Sequence, residues 1–289
     1  MNALDFGHCA VPGSDLKIGR LGFGASRLFA GGELRASSRI LEAALACGIR
    51  HFDTAPSYSG GQSEEVLGAV LSGIPDVTIT TKVGITGDAI TKPSLLSKAY
   101  RLGIRPLLAR FPAVKSKLLS LRNQPVQVAP ESRPAAAPSR ILTRDAVLRS
   151  VEASLTRLRR SSLDILLIHE SDSIVLDEAL REVFENLKTQ GMIKAFGVGL
   201  GRAVQEPLNF GQIIQSGFCA PATPESNADL SALPKNQLRI WHGILRQPAA
   251  KAPSESHARI SKVLNTFPEA AVIFSASSAR QITQIATTR

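Results

Sequence analysis

The feature that most constrains the fold of this chain is a regular alternation of short apolar runs with segments of helical periodicity. The apolar runs predict strands at residues 16–25, 49–53, 77–82, 163–169, 192–199, 218–222, 237–243 and 270–275. Helical spacing predicts helices between them, from Ser37 or Ser38 to Ala46 and at residues 63–71, 143–159, 175–190, 203–216, 255–267 and 277–286. Strands that alternate with helices indicate a parallel sheet, and eight such units in 289 residues predict a (β/α)8 TIM barrel.

The segment from about residue 85 to residue 140 interrupts this alternation. It contains the stretch NQPVQVAPESRPAAAPSR, whose proline, alanine and serine content argues against a single packed element. We therefore predict one domain over residues 1–289, with an insertion after the third strand that carries one or two basic amphipathic helices. The insertion is interpreted as a surface loop whose leucines pack on the barrel rim, and a membrane-surface or lid role is the alternative.

Much of the basic charge of the chain is concentrated in this insertion. The formal net charge is +10, and residues 98–140 contain nine Lys and Arg residues against one acid, Glu131. A nucleic-acid surface usually interleaves aromatic side chains with its cations, and this segment offers only Tyr100 and Phe111. We therefore favour a solvated basic insertion over a nucleic-acid site.

The remaining composition predicts a globular, cytoplasmic protein. A hydrophobic content of 44% is sufficient for a sizeable core, and no run in the sequence approaches the length that spans a membrane. Cys9, Cys47 and Cys219 do not have the spacing of a disulfide framework or a zinc knuckle, which is typical of a reducing compartment. The N-terminus has no apolar signal core.

Four polar residues lie at or just beyond the ends of predicted strands, namely Asp53, Tyr58, Lys82 and His169. Asp53 ends the second strand, and Tyr58 lies in the turn-rich loop that follows it. Lys82 and His169 end the third and fourth strands. The carboxyl ends of the strands of a parallel barrel share one face, where such barrels gather their chemistry. The sequence therefore predicts that the four side chains meet.

These residue types suit the reduction of a carbonyl group. Buried together, Asp53 and Lys82 would hold each other ionised, and the ammonium would favour the phenolate of Tyr58, which makes the phenol a usable proton donor. His169 would donate a hydrogen bond to the same substrate oxygen, and the hydride needs a cofactor. Singly, each residue also has an ordinary structural explanation. Asp and His could instead bind a metal, but the sequence has no spaced His pair or carboxylate cluster.

The same stretches carry a resemblance to the aldo-keto reductase family. The matching pieces are LGFGAS near the N-terminus, the block ACGIRHFDTAPSYSGGQSEEVLG, and then TTKVG, LLIHES, KTQGMIKAFGVG and VIFSASSARQITQIA. They span most of the chain outside the insertion and residues 220–237. The resemblance implies a (β/α)8 barrel that reduces a small-molecule aldehyde or ketone with NADPH, with NADH as the other possible cofactor. The resemblance also implies that Tyr58 donates the proton, that Lys82 and Asp53 tune the pKa of Tyr58, and that His169 orients the carbonyl.

The cofactor positions depart from the pattern that the resemblance implies. A Ser–Asn pair is expected after strand five, where this chain has Gly199 and Leu200, and the glutamine expected in strand six is missing from residues 218–222. Trp241 is the candidate for the aromatic residue that stacks on the nicotinamide. Arg280 is the candidate for the 2′-phosphate. Further cofactor candidates precede or begin the last helix, where the serines could instead act as its caps: Ser275, Ser277, Ser278 and Gln281.

Two functions follow from these observations. The preferred one is an NADPH-dependent oxidoreductase that acts on aldehydes or ketones. The alternative is a barrel that keeps the fold and the four polar residues but serves as a binding or regulatory module. The presence of Gly199 and Leu200 in place of the expected Ser–Asn pair distinguishes the two functions. Turnover requires that backbone groups and Trp241 suffice to hold the nicotinamide.

Overall fold

A computed structural model describes residues 6–28, 34–85, 141–170, 174–200, 209–217, 236–245 and 253–287. The described chain begins with an antiparallel hairpin of β1 (His8–Ala10) and β2 (Lys17–Gly19). The prediction of one strand over residues 16–25 is therefore wrong, because β2 belongs to this hairpin and a separate strand follows it. Cys9 and Ile18 of the hairpin are buried together with residues of the barrel interior, so the hairpin closes one end of the barrel.

Eight parallel strands form the barrel: β3 (Leu21–Gly24), β4 (His51–Asp53), β5 (Thr78–Val83), β6 (Leu163–His169), β7 (Ile193–Gly199), β8 (Ile213–Gly217), β9 (Leu238–His242) and β10 (Ala271–Phe274). Strands that are consecutive in the chain are hydrogen-bonded neighbours, and β10 pairs with β3 to close the circle. With helices packed around the strands, this closed sheet confirms the predicted (β/α)8 class. The predicted insertion at about residues 85–140 lies almost wholly outside the described residues.

The helices of the described residues are α1 (Leu34–Ala46), α2 (Gln62–Leu71), α3 (Arg144–Leu158), α4 (Glu178–Thr189), α5 (Pro253–Thr266) and α6 (Ala279–Thr287). The prediction that Ser37 or Ser38 caps α1 is wrong, because both lie inside that helix. Ser37 instead donates a hydrogen bond to the carbonyl of Leu28 at 2.7 Å. Among the described residues, no helix has the length and apolar character that crossing a membrane requires.

The sixth barrel strand lies earlier in the chain than predicted. The sequence pattern indicates a helix over residues 203–216 and a strand at 218–222, whereas β8 occupies Ile213–Gly217. The predicted helix is therefore wrong at residues 213–216, and residues 218–222 lie outside the described part of the chain. Backbone pairing with both neighbours fixes β8, because Ile213 is in register with Gly197 of β7 and Leu238 of β9. A strand that is paired on both sides satisfies its backbone without helical hydrogen bonds.

Side chains of the barrel strands alternate between two cores. Phe52 and Trp241 belong to the larger core, which the strands share with the helices. Ile165 and Ile240 belong to a smaller core inside the barrel. Because successive strand residues point to opposite faces, Asp53, Lys82, His169 and His242 share the inward face at the carboxyl ends of their strands. The site is therefore built on rigid strand ends.

Candidate active site

Strands β4 and β5 place Asp53 and Lys82 side by side inside the barrel. The side chains are 8% and 3% exposed, and Lys82 Nζ donates to Asp53 Oδ2 at 2.6 Å. The same ammonium donates to the carbonyl of Thr54 at 2.9 Å. Burial lowers the pKa of Lys82, but the negative charge of Asp53 and its hydrogen bond to the ammonium outweigh burial and raise the pKa above its usual value. Lys82 is therefore cationic at neutral pH.

The loop after β4 brings Tyr58 over this ion pair. The backbone N–H of Tyr58 donates to the carbonyl of Ala55 at 3.0 Å, and the loop then passes through left-handed residues before α2 begins at Gln62. Lys82 Nζ lies 5.2 Å from the centroid of the Tyr58 ring. At this distance the cation is attracted to the aromatic ring and stabilises negative charge on its phenol oxygen.

His169, at the end of β6, forms the other wall beside Tyr58. The two rings meet edge to face, with centroids 5.9 Å apart. Burial, reinforced by the positive charge of Lys82, lowers the pKa of His169 to about 3 from the ordinary value of 6.5. The imidazole is neutral at physiological pH, so it can donate a hydrogen bond but carries no extra proton to transfer. Ser57 Oγ lies 3.5 Å from His169 Nδ1, a long contact that leaves Nε2 for another partner.

The four side chains predicted to meet line one cavity of about 590 Å³, which is within the range of small-molecule sites. The structure therefore brings Asp53, Tyr58, Lys82 and His169 together. Further polar residues that line the cavity are Ser26, Arg27, Glu170, Gln215, His242 and Ser275. Apolar side chains of Leu200, Ile244, Leu245, Ile273 and Phe274 complete it. Within the described ranges, no group of three or more His, Cys, Asp or Glu side chains could hold a metal ion.

Gln215 of β8 is a site residue that the sequence analysis missed. Its Nε2 donates to Asp53 Oδ2 at 2.7 Å, so one carboxylate oxygen accepts hydrogen bonds from both Gln215 and Lys82. An ionised carboxylate only accepts hydrogen bonds, so the amide nitrogen of Gln215 faces Asp53 and its Oε1 points elsewhere. The sequence analysis missed Gln215 because it predicted the sixth strand at residues 218–222, which contain no glutamine.

Gly199 of β7 and Gly217 of β8 lie close to polar residues of the site. A Cβ placed on Gly199 would lie 3.3 Å from the carbonyl oxygen of Ile168, a tight contact, 3.7 Å from Gln215 Oε1 and 4.0 Å from Lys82 Cε. A Cβ on Gly217 would lie 3.7 Å from Cε1 of His242, the neighbouring inward residue of β9. Gly199 and Gln215, which are in register on β7 and β8, therefore line the cavity side by side.

Trp241 does not lie where the sequence analysis expected it. It is 2% exposed and belongs to the core between barrel and helices, where its ring packs edge to face on Phe267 with centroids 4.5 Å apart. His242, one residue later, points inward and lines the cavity instead. The parity of β9 explains the difference, since Leu238, Ile240 and His242 share the inward face. Stacking of Trp241 on a ring in the cavity is therefore excluded.

The serine cluster before α6 is divided between the cavity and the helix cap. Ser275 lines the cavity. Ser278 Oγ accepts from the backbone N–H of Gln281 at 3.3 Å, and Gln281 Oε1 accepts from the backbone N–H of Ser277 at 2.9 Å. Ser278 therefore caps the helix, and the Gln281 side chain satisfies the N–H of the residue before the cap, so the capping interpretation holds for these three residues. Arg280 lies exposed in the first turn of the same helix.

Geometry and comparison agree on the class of protein. A (β/α)8 barrel brings a buried lysine–carboxylate pair, a tyrosine and a neutral histidine together at one cavity. A model of the Aldo/keto reductase family matches residues 20–203. The chain belongs to this family.

This chain spans about half the length of the curated relatives that it matches. The chain is 31% identical to a D-threo-aldose 1-dehydrogenase of a Pseudomonas species over 215 residues, which is 68% of this chain and 56% of the relative. It is 29% identical to the NADH-specific methylglyoxal reductase of Escherichia coli K12 over 221 residues, 71% of this chain and 56% of that protein. Among solved structures, an aldo-keto reductase of Bacillus halodurans in its holo form aligns with a TM-score of 0.62 at 18% identity, covering 96% of this chain and 89% of that one.

Proposed function

We propose that the chain is an oxidoreductase that reduces the carbonyl group of a small aldehyde or ketone with NADPH, and that Tyr58 donates the proton. The observation that carries the proposal is the buried Lys82–Asp53 pair beneath Tyr58, with an Nζ to Oδ2 distance of 2.6 Å and Nζ 5.2 Å from the phenol ring centroid. A lysine held cationic beside a phenol stabilises the phenolate that remains after the proton has left.

The chemistry divides between the cofactor and the chain. A bound reduced nicotinamide supplies a hydride to the carbonyl carbon. The carbonyl π bond would break as negative charge grows on its oxygen, and the Tyr58 O–H bond would break to form the O–H bond of the alcohol. The new C–H bond would replace the one that the cofactor loses. The phenolate left on Tyr58 is stabilised by Lys82 until it regains a proton from solvent.

His169 acts as a hydrogen-bond donor in this proposal rather than as the acid. Its pKa of about 3 makes the protonated form too rare at neutral pH to serve as the proton source. A neutral imidazole N–H can still orient the carbonyl and stabilise its developing charge. The charge states of the two groups therefore assign their roles. Tyr58 donates the proton, and His169 donates a hydrogen bond to the carbonyl oxygen.

Residues of β7 and β8 that line the cavity fit the carboxamide of a nicotinamide. Gly199 presents no side chain, and Gln215 Oε1 beside it can accept a hydrogen bond from a carboxamide N–H. His242 and Ser275 line the same cavity on β9 and just after β10. We assign these residues to cofactor binding in place of Trp241.

The preference for NADPH rests on the charge near α6. Arg280 is exposed in the first turn of this helix, where a cation can pair with a 2′-phosphate. Ser277, Ser278 and Gln281 cap the helix, and its N-terminus favours phosphate in general, which serves NADPH and NADH alike. NADH remains the other cofactor to test, since one relative is named as NADH-specific.

Titration of the purified protein with NADPH, and separately with NADH, followed by calorimetry, tests the proposal. We expect micromolar binding and turnover of small aldehydes or ketones. Tyr58→Phe should abolish turnover and leave cofactor affinity nearly unchanged, because the hydroxyl acts in the transition state. Binding of neither cofactor by folded protein would favour the alternative, a barrel that serves as a binding or regulatory module.

A further inference from the structure

The loop that carries Tyr58 follows a backbone path that needs external support. Ser59, Gly60 and Gly61 have φ values of 52°, 65° and 87°, so three successive residues after Tyr58 are left-handed. A side chain such as that of Ser59 is disfavoured in this region, and such conformations persist where the surroundings enforce them. The contacts at each end of the loop therefore decide where Tyr58 lies.

The start of the loop is fixed to β5 and α2 through Thr54. Its backbone N–H donates to the carbonyl of Thr80 at 2.8 Å, and its carbonyl accepts from Lys82 Nζ at 2.9 Å. Its hydroxyl lies 2.9 Å from that of Ser63. These bonds tie the first residue of the loop to the strand of Lys82.

The end of the loop is fixed by Glu64 and Arg157. Glu64, in the first turn of α2, is fully buried, and its Oε2 accepts from Arg157 Nε at 2.6 Å. Its Oε1 accepts from the hydroxyl of Thr81, the residue before Lys82, also at 2.6 Å. The Arg157 side chain also covers Gly61, because a Cβ placed on that glycine would lie 3.3 Å from Arg157 Cδ.

We propose that Glu64 and Arg157 are positioning residues that hold Tyr58 over Lys82. One carboxylate joins the strand of Lys82 to the arginine that covers the last left-handed residue of the loop. The distance between phenol and ammonium is therefore set at both ends, by Thr54 and by this buried pair. The catalytic meaning of this arrangement rests on the proposed function, whereas the position of Tyr58 can be measured without it.

A second arginine of the same region provides a matched control. Arg160 donates to Asp164 Oδ2 at 3.2 Å, and the two side chains are 20% and 2% exposed, against 23% and 0% for Arg157 and Glu64. Arg160 also donates to the carbonyl of Val77, which precedes β5, so this pair lies at the amino ends of the strands. Asp164 also accepts from Lys194 at 2.7 Å, so removal of Arg160 perturbs a similarly buried ion pair far from Tyr58 and leaves that carboxylate one cationic partner.

The test compares Glu64→Gln, Arg157→Met and the milder Arg157→Lys with Arg160→Met. The chain has two tyrosines, Tyr58 and Tyr100, so protein labelled with ring-13C tyrosine gives two sets of NMR signals, and Tyr58→Phe assigns them. We expect the Glu64 and Arg157 variants to shift or broaden the Tyr58 signal. Their kcat should fall about tenfold to a hundredfold, while cofactor Kd stays within about twofold, as for a displaced catalytic group.

Arg160→Met should keep the wild-type Tyr58 signal and kcat, even if its unfolding midpoint drops. The proposal is overturned if the folded Glu64 and Arg157 variants also keep the wild-type Tyr58 signal and kcat. Wild-type protein without any reductase activity would contradict the proposed function alone, because the NMR comparison still decides whether this pair positions Tyr58.

Discussion

Lys82 Nζ lies 2.6 Å from Asp53 Oδ2 inside the barrel, and the two side chains are 3% and 8% exposed. Both charged groups are therefore poorly solvated by water. Each charge is therefore tolerated because the other is present, and the loss of either leaves an uncompensated charge in a low-dielectric interior.

Substitution of one partner should destabilise the fold more than substitution of both. Lys82→Met and Asp53→Asn are each expected to lower the free energy of unfolding by about 3–5 kcal/mol. The double variant carries no unpaired charge, so its loss should be smaller than the sum of the single losses. Urea unfolding of the four proteins measures this coupling, and additive losses would show that the pair is not mutually stabilising.

Gly197 and Gly217 test the assigned position of β8. A Cβ on Gly197 would overlap the carbonyl oxygen of Ile213, a backbone atom of β8 that cannot move without shifting the strand. Gly197→Ala should therefore cost more than about 4 kcal/mol or prevent folding. A Cβ on Gly217 would lie 3.7 Å from His242 Cε1, an ordinary contact, so Gly217→Ala should fold. Thermal unfolding monitored by circular dichroism compares the two, and equal stability would contradict this register.

The predictable parts of the structure are those that local pattern determines. LDILLI, which is apolar apart from Asp164, and the β-branched run at 77–81 are followed at once by His169 and Lys82, so the position of these two strands follows from the sequence. Parallel strands then place Asp53, Lys82 and His169 on one face. The inward direction of His242 could also be predicted from the sequence. Leu238, Ile240 and His242 alternate on one face of the strand, which places Trp241 on the opposite face.

Long-range contacts determine the parts that the sequence pattern missed. β8 is short and ends in Gln215, Ser216 and Gly217, which do not resemble a buried strand until pairing on both sides is known. The hairpin of β1 and β2 depends on burial against the barrel interior. Arg157 and Glu64 are 93 positions apart, so no local signal predicts their contact.

Arg280 should determine the choice between the two nicotinamide cofactors. Arg280→Ala is expected to raise the Kd for NADPH about tenfold or more, the value of a lost hydrogen bond to a charged group, and to change the Kd for NADH less than about twofold. Arg149→Ala, which removes another exposed arginine on α3, controls for net charge. Calorimetric titration measures both constants. Equal weakening of the two cofactors would assign Arg280 to a phosphate that they share.

The stability of the barrel should decline in mild acid because of His51. This residue is fully buried inside the barrel, with Nδ1 2.9 Å from the hydroxyl of Thr78 and Nε2 3.3 Å from that of Thr80. Burial, only partly offset by the charges of Asp53 and Asp164, lowers the pKa of His51 to about 4 from 6.5. Between these values the unfolded chain binds a proton that the folded chain does not.

The contribution of His51 to stability is therefore complete above about pH 6.5 and is lost as the pH falls toward about 4. The loss of stability from this residue levels off below that pH, at no more than about 3.5 kcal/mol. His51→Gln keeps a polar side chain beside Thr78 and Thr80 but cannot titrate. The difference in unfolding free energy between wild type and this variant, measured in urea from pH 7 to pH 4, should shift in favour of the variant as the pH falls. A constant difference would mean that protonation of His51 does not limit stability in acid, and His8→Gln, at an exposed position, controls for the loss of an imidazole.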